Sequence, residues 1–396
     1  MSTPRPKPLQ GLKVLDLTRL LPGPVATLHL ADMGADVIKI EDTDRGDYAR
    51  TLGDRRGANA WLFLLVNRNK RALRLDLKQS AGREVFLELA AKADVIVESF
   101  RPGVVAKLGI DYATVQALNP RIVYCAITGY GQTGPYRDRA GHDLNYCGYA
   151  GVTDQIGEAG GAPAIPNIQL GDLLGGSMGA VMGILAAVID AQRSGQGRYV
   201  DVAMTDCLLA HAIFPLIAQL ADGRSRPRGE DFLSGVLPCY SVYETADGRY
   251  MAVAALERKF WVLCCQTLGR PDLIEHHWVF GATAETIRAE VAALFKSQPQ
   301  AHWVALFDGV DCCVTPVLTL AESMGNEQIE ARGLFVEAEH PQDGALTQFA
   351  FPLRFSEFEF AVERPAPAPG EHSEEILTQA GFSAERIAQL RQIGAI

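Results

Sequence analysis

Along the first hundred residues, short apolar runs alternate with longer stretches of helical spacing. Leu12-Lys-Val-Leu-Asp-Leu17 reads as a strand, Pro24 to Met33 as a helix, and Asp36-Val-Ile-Lys-Ile40 as a second strand after the Gly34 stop. Ala72 to Leu77 is a further strand, Ser80 to Lys92 a helix, and Asp94-Val-Ile-Val97 another strand. This order predicts a parallel sheet with helices packed on it, an α/β architecture.

The pattern continues through Arg121 to Ile127, a strand that runs into the loop Thr128-Gly-Tyr-Gly-Gln-Thr-Gly134. Residues 151–170 are rich in Gly and Pro, and Leu173 to Arg193 then reads as a long apolar helix stopped by Gly195-Gln-Gly197. Tyr199 to Met204 alternates like a strand, and Asp206 to Leu220 is expected to be one more buried helix.

Near residue 221 the character changes. Ala221 to Glu230 is a polar linker, and beyond it Tyr240 to Tyr243 and Tyr250 to Ala254, joined by Ala246-Asp-Gly248, form a hairpin signal. Helices at about 257–268, 283–297 and 299–308 follow. We therefore expect the N-terminal part of a large domain over 1–224, a small α+β domain over 225–325, and a return over 326–396. That return carries Pro365, Pro367 and Pro369 before a short helix at about 383–393, and reads as a strap running back to the large domain or to another subunit.

Composition narrows the function. The 396 residues are 48% hydrophobic and carry a net charge of −10, so the chain can bury a large core and does not bind nucleic acid through its overall field. The N-terminus lacks an apolar stretch of the secretory kind, and the longest apolar run, Met178 to Ala191, is short for a bilayer span and rich in glycine. No membrane association is expected. The eight cysteines include two adjacent pairs and no CxxC, a pattern that predicts reduced thiols in a cytoplasm, no disulfides and no bound metal.

The dinucleotide, Walker, GxSxG and HExxH signatures are missing, and the informative stretch is 128–180. There a glycine-rich loop leads to Gly141-His142-Asp143-Leu144-Asn145-Tyr146, and Gly171-Asp172 precedes a helix. Asp172 has a structural reading as a helix cap and a chemical one as a carboxylate beside free amides. In the second reading it serves proton transfer or attack on a thioester, and the amides of Leu173 to Gly179 hold an enolate oxygen. His142 reads as a satisfied turn residue or, beside Asp143 and Asp172, as an acid/base group. Glu257 reads as an acid at a helix start. Arg101 and Lys107 are either solvated surface charges or anion ligands near a strand end.

At these residues the chain resembles the family III CoA-transferase and α-methylacyl-CoA racemase superfamily, over nearly its whole length. The resemblance rests on Pro8 to Asp16, Gly34-Ala-Asp-Val-Ile-Lys-Ile-Glu41, Asn69-Lys-Arg71, Leu75-Asp-Leu-Lys78 and Ala93 to Glu98. It continues through Arg101-Pro-Gly103, Gly129-Tyr-Gly-Gln-Thr-Gly-Pro135, Ser194-Gly-Gln-Gly197 and Gly370-Glu-His372. It implies a Rossmann-like large domain built from both chain ends, a small middle domain, and a homodimer of interlocked rings. Coenzyme A, arriving as part of a thioester substrate rather than as a resident cofactor, would place its adenine near Leu75 and Lys78. Its phosphates would lie near basic groups that include Arg19, Arg101 and Lys107. Where the family commonly has Arg after the second strand this chain has Asp42, which leaves Arg45 as the substitute; at 107 Lys keeps the charge without the planar fork of Arg.

The Gly-His-Asp motif is similar to the racemase version. That match makes His142 and Asp172 an acid/base pair across the substrate α-carbon, with Glu257 orienting His142 from the partner's small domain. In the transferases the matching Asp instead attacks the acyl thioester and forms a mixed anhydride, a role open to Asp172 as well. Leu21 stands where the formyl-CoA transferase type carries Gln, which argues against oxalate chemistry. The expected activity is racemisation or epimerisation of a 2-methylacyl-CoA; the alternatives are CoA transfer between an acyl-CoA and a carboxylic acid, and a CoA-binding scaffold without turnover.

Overall fold

Six of the apolar runs pair into one parallel sheet in the computed structural model, which describes residues 5–396. The strands are β1 (Lys13–Asp16), β2 (Asp36–Glu41), β3 (Lys70–Arg74), β4 (Val95–Glu98), β5 (Val123–Thr128) and β6 (Tyr199–Ala203). Their order is β3-β2-β1-β4-β5-β6, every neighbour parallel. Leu15 on β1 pairs with Ile38 of β2 on one side and Ile96 of β4 on the other, which puts β1 at the centre. This is the doubly wound arrangement, in which the strand order reverses between β1 and β4 and a crevice opens beyond their carboxyl ends.

Helices cover the sheet: α1 (Pro22–Asp32), α2 (Ser80–Ala90), α3 (Val104–Leu108), α4 (Asp143–Tyr149), α5 (Gly171–Ser194) and α6 (Met204–His211). The chain's end belongs to the same body. Helices Ser373–Gln379 and Ala384–Gln392 bury Ile376, Leu377 and Leu390 against Leu73, Phe86 and Ile96. The Ala72 carbonyl accepts the His372 amide, and the Ala395 carbonyl accepts that of Asp76. One compact unit therefore spans 1–150, 167–211 and 330–396, so the large parallel-sheet body is built from both ends of the chain.

The second unit, 151–166 with 212–329, carries a three-stranded antiparallel sheet ordered Val314–Pro316, Tyr250–Ala254, Tyr240–Glu244. The turn of its hairpin needs Gly248, whose φ of +74° suits glycine. Its core gathers Trp261, Phe295, Trp303 and the cysteines 239, 264, 265 and 312. All eight cysteines are free thiols.

Three local expectations change. The strand expected over 72–77 lies at Lys70–Arg74, so its first residues are charged yet buried. The single helix expected over 206–220 breaks at Ala212. Pro215 has no amide hydrogen for the His211 carbonyl and its ring would collide with it, so helical bonding restarts from Ala212. The helix Ile213–Asp222 buries Ala218 and leaves Phe214, Leu216, Ile217 and Leu220 exposed.

Finally, α5 starts at Gly171 with wider π-helical turns over Gly171–Met178 and reaches 24 residues, long and apolar enough by composition to cross a membrane. Its small residues show why it is apolar. A Cβ on Gly175, Gly176 or Gly183 would fall 2.6 Å from the Met204 carbonyl, 2.7 Å from Pro22 or 2.7 Å from Val200. The helix is packed into the sheet body on that face.

Candidate active site

At the switch point a cleft of about 550 Å³ opens. The loop after β1 lines it with Arg19, Leu20 and Pro22, the loop after β4 with Phe100 and Arg101, and the loop after β5 with Gly129 and Tyr130. His142, Tyr146 and Asp172 complete the wall. The fold thus brings the two titratable residues singled out in the sequence, thirty positions apart, into one crevice.

The loop after β1 is held by buried charge. Lys39 and Asp47, both fully buried, pair at 2.8 Å; Lys39 also donates to the Thr18 carbonyl, and Asp47 accepts the Leu20 amide. Those bonds hold Leu20 at φ +66°, a strained value for a side chain with a Cβ. Beside them Lys70 reaches Asp16 at 3.2 Å and donates to the Pro24 carbonyl and to Asn67. Burial outweighs the attraction of Asp16 and brings the Lys70 ammonium down to about 8.

Asp172 sits in the first turn of α5 and is not its cap; the residue before the helix is Leu170. Half-buried, its carboxyl is pushed up to about 7, first by burial and then by the charge of Asp143. In the sequence Asp143 stands out only as the neighbour of His142. Its Oδ1 accepts the Asp172 amide at 3.0 Å, and its Oδ2 lies 3.6 Å from the Cys147 thiol. The Gly171 amide faces that same sulfur. The amides at the mouth of α5 are therefore already bonded, and its glycines pack on Met204 and Pro22. This corrects the expectation that the stretch offers free donors to a ligand.

His142 precedes α4 with extended backbone, its amide donating to Asn145 Oδ1 at 3.0 Å. Its ring is exposed to the cleft. The turn that carries it is shaped by Tyr146, whose hydroxyl donates to the Gly141 carbonyl. A Cβ at Gly129 or Gly141 would come within 2.1 or 2.6 Å of the Tyr146 ring, so both positions require glycine. Arg137 and Arg139 also line the cleft, signalled in the sequence only by the loop composition Tyr136-Arg-Asp-Arg139, while Tyr130 and Tyr146 stand inside the glycine-rich loop and the Gly-His-Asp motif without a signal of their own. Arg139 donates to the Tyr149 hydroxyl at 2.9 Å and stacks on Tyr136.

The remaining sequence candidates fall in different places. Arg101 is exposed on the cleft wall. Arg19 lines the cleft but is bound to Asp42 at 2.7 Å. Asp42 also accepts the amides of Asp44, Arg45 and Gly46, so the residue standing in place of the family Arg closes its own loop. Arg45 projects into solvent, nearest Asp44 at 3.9 Å. Lys107 is exposed on α3 and Lys78 on the turn after β3, both outside the cleft lining. The Leu75 side chain is packed in the core, which leaves only its backbone to face a ligand. Glu257, in the second unit, precedes helix Arg258–Thr267; its carbonyl accepts the Phe260 and Trp261 amides, while its exposed side chain makes no capping bond. Among the described residues no three of His, Cys, Asp and Glu cluster as a metal site.

An open parallel sheet with a titratable cleft at its reversal point is the small-molecule-binding arrangement of the doubly wound class. The chain belongs to the CoA-transferase family III, whose model matches residues 9–373, and its chemistry is that of acyl-CoA thioesters. It is 36% identical to human alpha-methylacyl-CoA racemase over 384 residues, 96% of each chain. It is 32% identical to human succinyl-CoA:glutarate CoA-transferase, over 98% of this chain and 90% of that one. Among solved structures, a CAIB/BAIF family protein from Brucella suis superposes with a TM-score of 0.82 at 30% identity, covering 95% of this chain and 100% of that one.

Proposed function

We propose that the protein racemises or epimerises the α-carbon of 2-methylacyl-CoA thioesters by proton transfer between His142 and Asp172. The observation that carries this reading is their convergence on one cleft, with Asp172 held near 7, where a carboxyl is half protonated at neutral pH and serves as base or acid. One group takes the α-proton and the C–H electrons pass into the thioester carbonyl, giving an enolate. The other group returns a proton to the opposite face. Arg101, Arg19, Lys107, Lys78 and the backbone at Leu75 are proposed to receive coenzyme A. In the interlocked homodimer that the family resemblance implies, Glu257 of the partner subunit orients His142. The likeness to the racemase supports this reading.

A second reading has its own support in the family description and in the transferase relative. Ionised Asp172 attacks the thioester carbonyl and the C–S bond breaks, which leaves a mixed acyl–Asp172 anhydride and free CoA thiolate. The thiolate attacks the Asp172 carbonyl of that anhydride, releasing the donor acid and leaving CoA as a thioester on Asp172; an acceptor carboxylate then displaces the thiolate to form a new mixed anhydride, and the thiolate attacks its acyl carbonyl, giving the new acyl-CoA and freeing Asp172.

The two separate in one experiment. A single enantiomer of a 2-methylacyl-CoA is incubated in heavy water without any acceptor acid. Loss of optical purity with one deuterium gained at the α-carbon supports the first reading. A thioester that stays inert until a free carboxylic acid is added, with hydroxylamine then inactivating the enzyme, supports the second.

A further inference from the structure

We propose that the Asp143 carboxylate is the positioning residue for Asp172: its Oδ1 takes the Asp172 amide across 29 positions of sequence and fixes where the Asp172 side chain enters the cleft. This builds on the proposed role of Asp172 as the proton-transferring group. Three features of the structure carry it. The Asp172 N–H to Asp143 Oδ1 bond is 3.0 Å, the Cys147 thiol supports Oδ2, and a Cβ at Gly171 would stand 3.0 Å from Oδ1, so Gly171 is what lets the carboxylate approach. Asp143 itself does not line the cleft.

A carboxylate bonded to the backbone of a second carboxylate does two things. It anchors the chain, and its charge opposes ionisation of the neighbour, in line with the upward displacement of Asp172. The other titratable groups near Asp172 are Tyr146 and Cys147 on α4, both kept protonated first by burial; the same cleft also holds His142, Arg101, Arg19, Arg137, Arg139, Tyr48 and Tyr130. From α1 and α6, packed against α5, only Pro22 and Met204 reach the cleft. Asp143 thus adds, after burial, to what favours the protonated form of Asp172.

The test compares the full-length wild type with Asp143→Asn, which keeps an oxygen for the amide and removes the charge. Asp172 is followed by carboxyl carbon NMR in protein labelled at aspartate, with Asp172→Asn supplying the assignment. In Asp143→Asn the Asp172 midpoint should fall by about one pH unit, and the acidic limb of kcat/KM should move with it while the plateau of kcat is kept. Asp143→Ala, which removes the acceptor too, should lower the plateau itself. If the Asn chain does not fold, Asp143→Ser offers an oxygen without charge in its place. An Asp172 midpoint that stays put when the charge is gone overturns the inference. If the midpoint moves but the wild type neither exchanges an α-proton nor transfers CoA, the functional reading fails and the hold of Asp143 on Asp172 stands.

Discussion

The Tyr146 hydroxyl donates its hydrogen to the carbonyl of Gly141, and the residue that follows that carbonyl is His142. The bond closes the turn that presents the imidazole, while the ring fills the space left by Gly129 and Gly141. Tyr146→Phe keeps the ring and removes the bond. It should cost about 1 kcal/mol of stability, and turnover should fall on the order of tenfold as the imidazole loses its fixed position. Affinity for coenzyme A should change little. Denaturant melts, steady-state kinetics and CoA titration read the three quantities; unchanged turnover would remove the turn from the account.

Gly175 lies one turn beyond Asp172, and a Cβ there would stand 2.6 Å from the Met204 carbonyl. Backbone cannot yield as a side chain can. Gly175→Ala should destabilise by about 1–3 kcal/mol through overpacking and displace the π-helical turns that carry Asp172. A calorimetric Tm equal to that of the wild type would show that α5 can slide away from α6.

Glu41 and Arg50 form a buried pair at 2.6 Å, and Arg50 also donates to the Pro367 carbonyl from the chain's C-terminal return. Burial alone would raise the Glu41 carboxyl; the Arg50 hydrogen bond and the charges of Lys39 and Arg50 reverse this and hold it below its ordinary 4.5. A carboxyl with a depressed folded value contributes stability above pH 4.5, and that contribution is lost as the pH falls through the folded value. Arg50→Met leaves the carboxylate buried and unpaired. It should cost about 3–5 kcal/mol at pH 7, and the gap to the wild type should narrow toward pH 4, where Glu41 takes a proton. Urea midpoints across that range provide the check, and a gap that widens on acidification would contradict the pairing.

How much of this could be read from residue order depends on distance along the chain. The strand Val95–Glu98 declares itself through the apolar run Val95-Ile-Val97, and Asp36–Glu41 through Val37, Ile38 and Ile40 around one lysine. Lys70 and Arg71 conceal the start of β3 because they look solvated; their partners, Asp16 for one and Asp36 and Glu375 for the other, are remote in sequence. The same holds at the site. His142 and Asp172 stand out through their glycine-rich surroundings, but the Asp143 to Asp172 bond spans 29 residues and has no local signature. The glycines after Asp172 carry a signal that serves close ligand approach and close helix packing equally; only the positions of Met204 and Pro22 decide for packing.

In the proposed racemisation His142 and Asp172 each serve one face of the α-carbon. The most direct measurement is proton NMR of α-hydrogen loss in heavy water, without acceptor acid, from each enantiomer separately, with the wild type, His142→Ala and Asp172→Asn. The wild type is expected to exchange and racemise both enantiomers, while each variant racemises neither and retains exchange with one, the two variants retaining opposite ones. Racemisation that survives in either variant, or exchange in the wild type that begins only when a carboxylic acid is supplied, would contradict it.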